Sequence, residues 1–270
     1  MLLCFDVDGT LLDSQTHRVP ASAKEALRLL KARGHHIIVS TGRAYDSLKR
    51  TEIFAIAPWD GFVLNNGQMI MDARENILEK HVMKVSSVRK TIDIADALNL
   101  AVTLKKDERL ITRKPDEYVY ATQRYFNNVI PPFGVYNNKD DVYAMVIYGP
   151  MGYDYAPFMD IPGVRVAPGV GCYADATIAG VSKATGCQSF MHRFGYEDYV
   201  AFGDSQNDLE MFKYAKVAVC MGDGDPVALE AATYITDGIR EDGIASACRK
   251  LGYVRKRGHV SGIRKGRLQK

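Results

Sequence analysis

Met1-Leu2-Leu3-Cys4-Phe5-Asp6-Val7-Asp8-Gly9-Thr10 opens the chain. Leu2 to Val7 is a short apolar run that ends in an Asp/Gly cluster, the pattern of a buried strand. Two carboxylates two residues apart leave that strand, and both can face one site. Gly9 permits a tight turn that brings backbone N–H groups toward an anion. Paired carboxylates suit two tasks: holding a hard cation such as Mg²⁺, and dividing nucleophile from acid/base duty. An Asp-rich turn that merely ends a strand has the same local pattern.

Working outward, Ser22-Ala23-Lys24-Glu25 fits a capping box. Ala26, Leu27, Leu29 and Leu30 follow as an apolar face, and Gly34 sits where a helix ends. Ile37 to Val39 reads as a second strand. Strand, helix and strand within some forty residues form a βαβ unit, which implies a parallel sheet. Gly61 to Leu64 is a third expected strand, and Met69–Met71 with Ile77–Leu78 suggests a hairpin. The last third repeats the alternation: helix Lys183–Phe194, strand Tyr199–Phe202, helix Asp208–Tyr214, strand Val217–Cys220, helix Pro226–Ala232 and strand Tyr234–Thr236. Between them, from about Val82 to Thr177, the pattern is irregular and richer in Tyr, Asn and Pro. It contains expected helices at Ser87–Leu98 and Asp116–Phe126, and expected strands at Leu100–Leu104, Arg109–Thr112, Val142–Tyr148 and Val164–Ala167. That mixture reads as an inserted α+β module with an antiparallel sheet. The division is therefore an α/β core made of 1–81 and 178–270, interrupted by an insert at 82–177.

The 270 residues support one large domain or two modest ones. With 47% hydrophobic and 25% charged residues the composition is that of a soluble globular protein. No uncharged apolar run approaches the ~18 residues needed to span a membrane, and the N-terminus lacks the features of a signal peptide. Five cysteines, widely spaced and without a Cys-x-x-Cys pair, point to reduced thiols in the cytoplasm. The net charge of +3 is uneven: seven basic and no acidic residues follow Val254, which leaves 28 basic against 32 acidic side chains elsewhere. Such a tail attracts nucleic acid in some proteins. Here no aromatic residue is interleaved to stack on bases, so a solvated terminus is the expectation.

Three further stretches follow expected strands or open helices. Thr41-Gly42-Arg43 offers a hydroxyl and a glycine N–H at a strand end, a ready phosphate site; the alternative is an ordinary helix cap at Thr41. Lys183 stands in a first helical turn, against the helix dipole, which hints at an anionic partner. Gly203-Asp204-Ser205-Gln206-Asn207-Asp208 ends a strand and enters a helix. Asp204 and Asp208 can add metal ligands to Asp6, and Asn207 can reach phosphate oxygens. In open α/β sheets ligands bind beyond the carboxyl ends of the strands, so the four stretches are expected to converge.

Asp6-Val7-Asp8-Gly9-Thr10, Ser40-Thr41-Gly42-Arg43, Lys183 and Gly203 to Asp208 together resemble the four motifs of the haloacid-dehalogenase-like (HAD) superfamily. The insert between Thr41 and Lys183 makes the chain most similar to its Cof-type phosphatases. Met221-Gly222 and Glu241-Asp242-Gly243-Ile244 also match that family's late pattern. The resemblance implies a Rossmann-like core with helices on both faces and an α+β cap over the site. It further implies that Asp6 is phosphorylated and that Asp8 is the general acid and base. Mg²⁺ would be held by Asp6, Asp8 through its backbone carbonyl, and Asp204, with Asp208 bracing or joining the shell. Phosphate would meet Val7, Thr41, Gly42, Lys183 and Asn207. Two departures stand out: Ala184 replaces the usual glycine, and Asp223-Gly224 replaces the common Asn-Ala.

The implied substrate is a small phosphorylated metabolite — a sugar, nucleotide-related or cofactor phosphate — handled by a monomer or homodimer with no membrane or nucleic-acid partner. A phosphomutase and a non-catalytic regulatory homologue are the alternatives. Arg109, Arg113, Tyr118 and Tyr143 are candidate substrate contacts from the insert.

Overall fold

The computed structural model describes residues 1–169 and 171–254. The basic tail of 255–270 lies outside the described residues. The chain enters through β1 (Leu2–Phe5), β2 (His36–Ser40), β3 (Gly61–Leu64), β4 (Met69–Asp72) and β5 (Ile77–Lys80). It then builds β6 (Val102–Lys105), β7 (Leu110–Ile111), β8 (Ala144–Tyr148), β9 (Val164–Pro168) and β10 (Tyr173–Ile178). It ends through β11 (Tyr199–Gly203), β12 (Val217–Cys220) and β13 (Tyr234–Ile235).

Eight strands form one sheet in the order β13-β12-β11-β1-β2-β3-β4-β5. The pairs from β13 to β3 are parallel, and the hairpin of β4 and β5 closes the edge antiparallel. Central strand β1 is buried on both faces, as a continuous apolar run demands. Leu3 and Phe5 face one core cluster, with Ala23, Leu27 and Leu30 of helix Ala21–Ala32 and Ile244 and Ala247 of helix Gly243–Lys250. Leu2 and Cys4 face the other, with Cys187 and Phe190 of helix Lys183–Arg193 and Met211 and Phe212 of helix Leu209–Tyr214. The result is a three-layer parallel α/β core. None of the described helices is long and apolar enough to cross a membrane.

The second sheet is antiparallel throughout, in the order β7-β6-β8-β10-β9. Strand periodicity divides its faces. Val102, Leu104, Met145, Ile147, Ala174 and Ala176 pack with Val88 and Phe158 from helices Val85–Ala97 and Ala156–Met159. Their neighbours Thr103, Lys105, Val146, Tyr148, Tyr173 and Asp175 face a cavity above the first sheet. This sheet is the cap.

Two local expectations need correction. Helix Ala21–Ala32 starts behind Pro20, and no side chain caps it. Ser22 falls inside the first turn with its hydroxyl buried and unpartnered, and Glu25 pairs with Arg28 instead. Proline fixes the entry conformation, so the capping box never forms. Thr41 likewise caps nothing: helix Tyr45–Lys49 begins after Ala44. Strand β10 and helix Gly243–Lys250 were not expected from the pattern at all.

The tight joint between core and insert is the turn after β3. Gly67 has φ +100°, and a Cβ there would lie 2.1 Å from the Ser182 carbonyl oxygen. Buried Gln68 ties the same turn to the end of the cap: its Oε1 accepts from the Ile178 N–H at 2.9 Å. Gly67 thus lets the chain press on the residue that precedes Lys183. Gly67→Ala is expected to lower unfolding stability by about 2–3 kcal/mol. Gly195→Ala, with φ +71° but open space around it, is expected to cost only about 1 kcal/mol. Equal urea-midpoint shifts in the two variants would show that the Ser182 contact is irrelevant.

The loop after β1 is held by Asp13, whose carboxylate accepts from the Gln15 N–H at 3.0 Å and the Thr16 hydroxyl at 2.9 Å. It also takes the Arg240 fork at 2.9 and 3.0 Å. Arg240 is the first cause of a carboxyl pKa held well below the ordinary value. A lowered folded-state pKa stabilises above the unfolded value, and that contribution fades as pH falls toward the folded one. Asp13→Asn is therefore expected to cost about 2 kcal/mol at pH 7, tempered by the exposure of Arg240. The gap to wild type should narrow below about pH 4. A gap independent of pH, measured by denaturant titration from pH 7 to 3, contradicts this.

Candidate active site

The four stretches converge at the carboxyl ends of β1, β2 and β11. Asp6 is anchored there by its own backbone, its N–H donating to the Phe202 carbonyl at 2.9 Å. The chain then folds back, with the Leu11 and Leu12 N–H groups both reaching the Val7 carbonyl. Gly9 makes the bend at φ +85°, where a Cβ would stand 2.2 Å from Asp204 Oδ2. That close approach is what lets Asp204 come alongside Asp6. The Thr10 hydroxyl then donates to Asp204 Oδ1 at 2.9 Å and fixes its orientation.

Lys183 lies at the centre and is only 1% exposed. Its ammonium donates to Asp6 Oδ1 at 2.5 Å, Asp208 Oδ1 at 2.8 Å and Asn207 Oδ1 at 3.1 Å. Burial works against the charge, but Asp208 and Asp6 together raise the lysine pKa, so it stays protonated. The second oxygen of Asp208 accepts from the Asp204 and Ser205 N–H groups at 3.0 and 3.1 Å. Both Asp208 oxygens are thus engaged by protein donors.

Asp6, Asp204 and Asp208 bring carboxylate oxygens within 4.8 Å of one another. Asp8 stands outside that set. Burial first, then Asp208 and Asp8, push the Asp6 pKa up to about 7 against the pull of Lys183. Asp204 is raised well above normal by burial, then by Asp6 and Asp208. Three acids against one ammonium leave an excess of negative charge in a dry place. An all-oxygen donor set with that excess fits a hard divalent cation, whose charge would favour the ionised form of Asp6.

Asp8 is gripped by Arg43. The guanidinium places Nε and Nη2 at 2.8 and 2.7 Å from its two oxygens. The same Arg43 donates to the Phe126 carbonyl of the cap at 2.9 Å and to Ser47 Oγ at 3.1 Å. Thr41 is buried, and its hydroxyl accepts from the Arg43 N–H at 3.1 Å. The Gly42 carbonyl is taken by cap Lys105 at 2.9 Å. Among the described residues the N–H groups of Val7 and Gly42 meet no protein acceptor, so both remain for an anion. Asn207 lines the cavity beside Lys183.

The cavity enclosed between the sheets has a volume of about 470 Å³. Arg109 lines it, and its guanidinium crosses from cap to core to pair with Asp46 at 2.7 Å. The other three cap candidates do not line it. Arg113 turns to Asp96 and Asn99, Tyr143 donates to Asp107, and Tyr118 lies outside the lining. The lining instead includes Thr122, Gln123, Tyr125, Phe126 and Tyr173. Sequence reasoning missed these, together with Thr10 and the bridging role of Arg43. Thr122, Gln123 and Tyr125 lie on helix Glu117–Tyr125 and Phe126 ends it, while Tyr173 opens β10, so no strand alternation marked the group.

Residues 3–248 match the family model described as haloacid dehalogenase-like hydrolase. Among curated proteins, a 5-amino-6-(5-phospho-D-ribitylamino)uracil phosphatase of Bacillus subtilis is 25% identical, over 92% of this chain and 94% of its own. A phosphoglycolate phosphatase of Nitrosopumilus maritimus is 25% identical, over 92% and 95%. Among solved structures, the HAD-superfamily phosphatase BT1666 of Bacteroides thetaiotaomicron superposes with a TM-score of 0.85 at 26% identity, over 94% and 95%. A match of that extent, on a site with this geometry, places the chain in the haloacid dehalogenase-like hydrolase family.

Proposed function

We propose that this hydrolase is a Mg²⁺-dependent phosphatase that dephosphorylates a small metabolite through an aspartyl-phosphate on Asp6. The observation that carries the reading is the buried Lys183 ammonium, 2.5 Å from Asp6 Oδ1 and 2.8 Å from Asp208 Oδ1, with Asp204 completing the carboxylate cluster. In this reading 1–81 and 178–270 form the catalytic core and 82–177 the cap. The protein acts in the cytoplasm as a monomer or homodimer.

Phosphoryl transfer asks for in-line positioning and neutralised oxygens. The N–H groups of Val7 and Gly42, the Thr41 hydroxyl, Lys183 and Asn207 receive the phosphate. Asp6 Oδ2 attacks phosphorus as the bond to the leaving oxygen breaks. Asp8 gives its proton to that oxygen, then takes one from the water that cleaves the acyl phosphate. Arg43 keeps Asp8 aimed, and proton delivery requires one Asp8 oxygen to turn from the fork toward the leaving group. Asp6, Asp204 and the Asp8 carbonyl, with Asp208 as brace, would hold Mg²⁺, which would supply charge neutralisation.

The volume of about 470 Å³ suits a metabolite and excludes a folded protein. The test is phosphate release from a panel of phosphorylated metabolites. Asp6→Asn should lower kcat by at least about 10³-fold, and Asp8→Asn by about 10²- to 10⁴-fold. EDTA should abolish release and added Mg²⁺ restore it. Undiminished turnover by Asp6→Asn sinks the assignment of the nucleophile. Isomerised product without free phosphate favours a mutase.

A further inference from the structure

The turn after β3 reaches the site, although it belongs to none of the four stretches that carry the chemistry. Three successive residues there, Asn65, Asn66 and Gly67, have φ of +52°, +57° and +100°. Glycine takes that left-handed conformation freely, but a residue with a Cβ does so at a cost on the order of 1 kcal/mol. Strain of this kind persists only where the surroundings over-determine it, and it clusters at functional sites. Here it turns Asn66 inward, where the residue is only 9% exposed. Its backbone N–H donates to the Thr41 carbonyl at 2.9 Å. A Cβ on Gly42 would lie 3.1 Å from Asn66 Oδ1 and 3.2 Å from its Nδ2, so the amide lies directly against the Gly42 loop.

That amide completes a chain of polar groups whose direction is fixed at both ends. An ammonium can only donate, and Lys183 donates to Asn207 Oδ1 at 3.1 Å. The Ser205 hydroxyl donates to the same oxygen at 3.0 Å. Asn207 Nδ2 then donates to Asn66 Oδ1 at 3.5 Å, and Asn66 Nδ2 donates to Asp175 Oδ2 at 3.4 Å. A carboxylate can only accept. Neither amide can be turned over without setting donor against donor or acceptor against acceptor. Asp175 belongs to cap strand β10, and its other oxygen takes the Lys105 ammonium at 3.2 Å. Lys105 donates in turn to the Gly42 carbonyl at 2.9 Å. The two contacts of Asn66 are long and individually weak; their fixed polarity is what gives the chain one arrangement.

We infer that Asn66 is a positioning residue for phosphoryl transfer: it holds Asn207 with its amide nitrogen toward the phosphate, and through Asp175 it makes the cap part of that support. The inference rests on the phosphatase reading, in which Lys183 and Asn207 receive the phosphate, and deepens it. Asn207 gives its oxygen to Lys183 and Ser205 and one Nδ2 hydrogen to Asn66, which leaves the second hydrogen for a phosphate oxygen. Without Asn66 the Asn207 oxygen stays held, but its nitrogen end loses its protein partner. Groups that orient a ligating side chain commonly matter as much as this to activity, even though they meet no substrate themselves.

Kinetics of Asn66→Gly, Asn65→Gly and Asn207→Ala test this. Asn66→Gly removes the amide and relieves the left-handed backbone, so its melting temperature should hold. Its kcat/KM should fall about tenfold, by the same factor for phenyl phosphate and for the fastest metabolite of the panel. Inhibition by inorganic phosphate should weaken alongside. Asn65→Gly relieves the same turn but leaves the chain of amides whole, because Asn65 Oδ1 bonds to nothing in the protein; its kcat/KM should match wild type. In an Asn207→Ala background, Asn66→Gly should cost almost nothing further, since its effect passes through that residue. An unchanged kcat/KM in Asn66→Gly overturns the inference alone. So does a full additional loss on top of Asn207→Ala, or a loss that differs between the two substrates. A loss that tracks a lowered melting temperature, or an equal loss in Asn65→Gly, assigns the effect to the turn and overturns it as well. Phosphate release from none of the compounds by the wild type sinks the hydrolase reading, and the inference with it.

Discussion

The ammonium of Lys183, sealed between Asp6 and Asp208, is the interaction on which the rest is arranged. Burying a lysine is unfavourable unless opposite charges meet it with good geometry. Here those charges come from two strand ends far apart in sequence, so the site exists only if the parallel sheet places β1 beside β11. Two further acids, Asp204 in the cluster and Asp8 beside it, are each held separately, by Thr10 and by Arg43. The cluster is left with three carboxylates and one ammonium. That deficit of two positive charges fits a divalent cation; burial first, and the neighbouring carboxylates after it, raise the pKa of Asp6 and Asp204.

Much of the core was legible because its strands are continuous apolar runs closed by Asp or Gly. Leu2–Phe5, His36–Ser40 and Tyr199–Gly203 need both faces buried, and sequence displays that directly. Strand β10 was harder. Tyr173-Ala174-Asp175-Ala176-Thr177 alternates small apolar residues with polar ones, and the alanines give too weak an apolar signal. Their small size is nonetheless functional in packing, since they press against the cap's own core while Tyr173 and Asp175 point to the cavity. Helix Gly243–Lys250 is only eight residues long and opens on glycine, a poor helix former, although Ile244, Ala247 and Cys248 form a buried face against helix Ala21–Ala32. The failed capping box at Ser22 has a backbone cause: Pro20 decides where the helix begins.

The site divides along the same line. Residues that follow strands could be read locally: Asp6, Asp8, Thr41, Asp204 and Asp208 all stand at sheet ends. What could not be read was pairing across the gap between sheets. Arg109 appeared as a possible substrate contact, yet Asp46 claims its guanidinium. Arg113 and Tyr143 carry suitable chemistry but spend it inside the cap. Propensity and spacing report which groups a segment owns. They do not report which of those groups another segment has already satisfied, and in a cavity between two sheets that second fact decides what remains for a ligand.

Arg43 shows how tightly the two sheets are bound to one another. Its guanidinium serves Asp8 with two N–H groups and the Phe126 carbonyl with a third contact. A lysine in its place would keep the charge but lose the planar fork that makes both engagements possible. The residue proposed to move protons and the wall of the cap therefore share one cation. Displacing the cap by more than a hydrogen-bond length breaks the Phe126 contact while leaving the carboxylate pair intact. Turning Asp8 toward a leaving group breaks the pair while leaving the cap contact intact. Arg43 Nη2 donates both to Asp8 Oδ1 and to the Phe126 carbonyl, so one guanidinium nitrogen joins the wall of the cap to the Asp8 carboxylate.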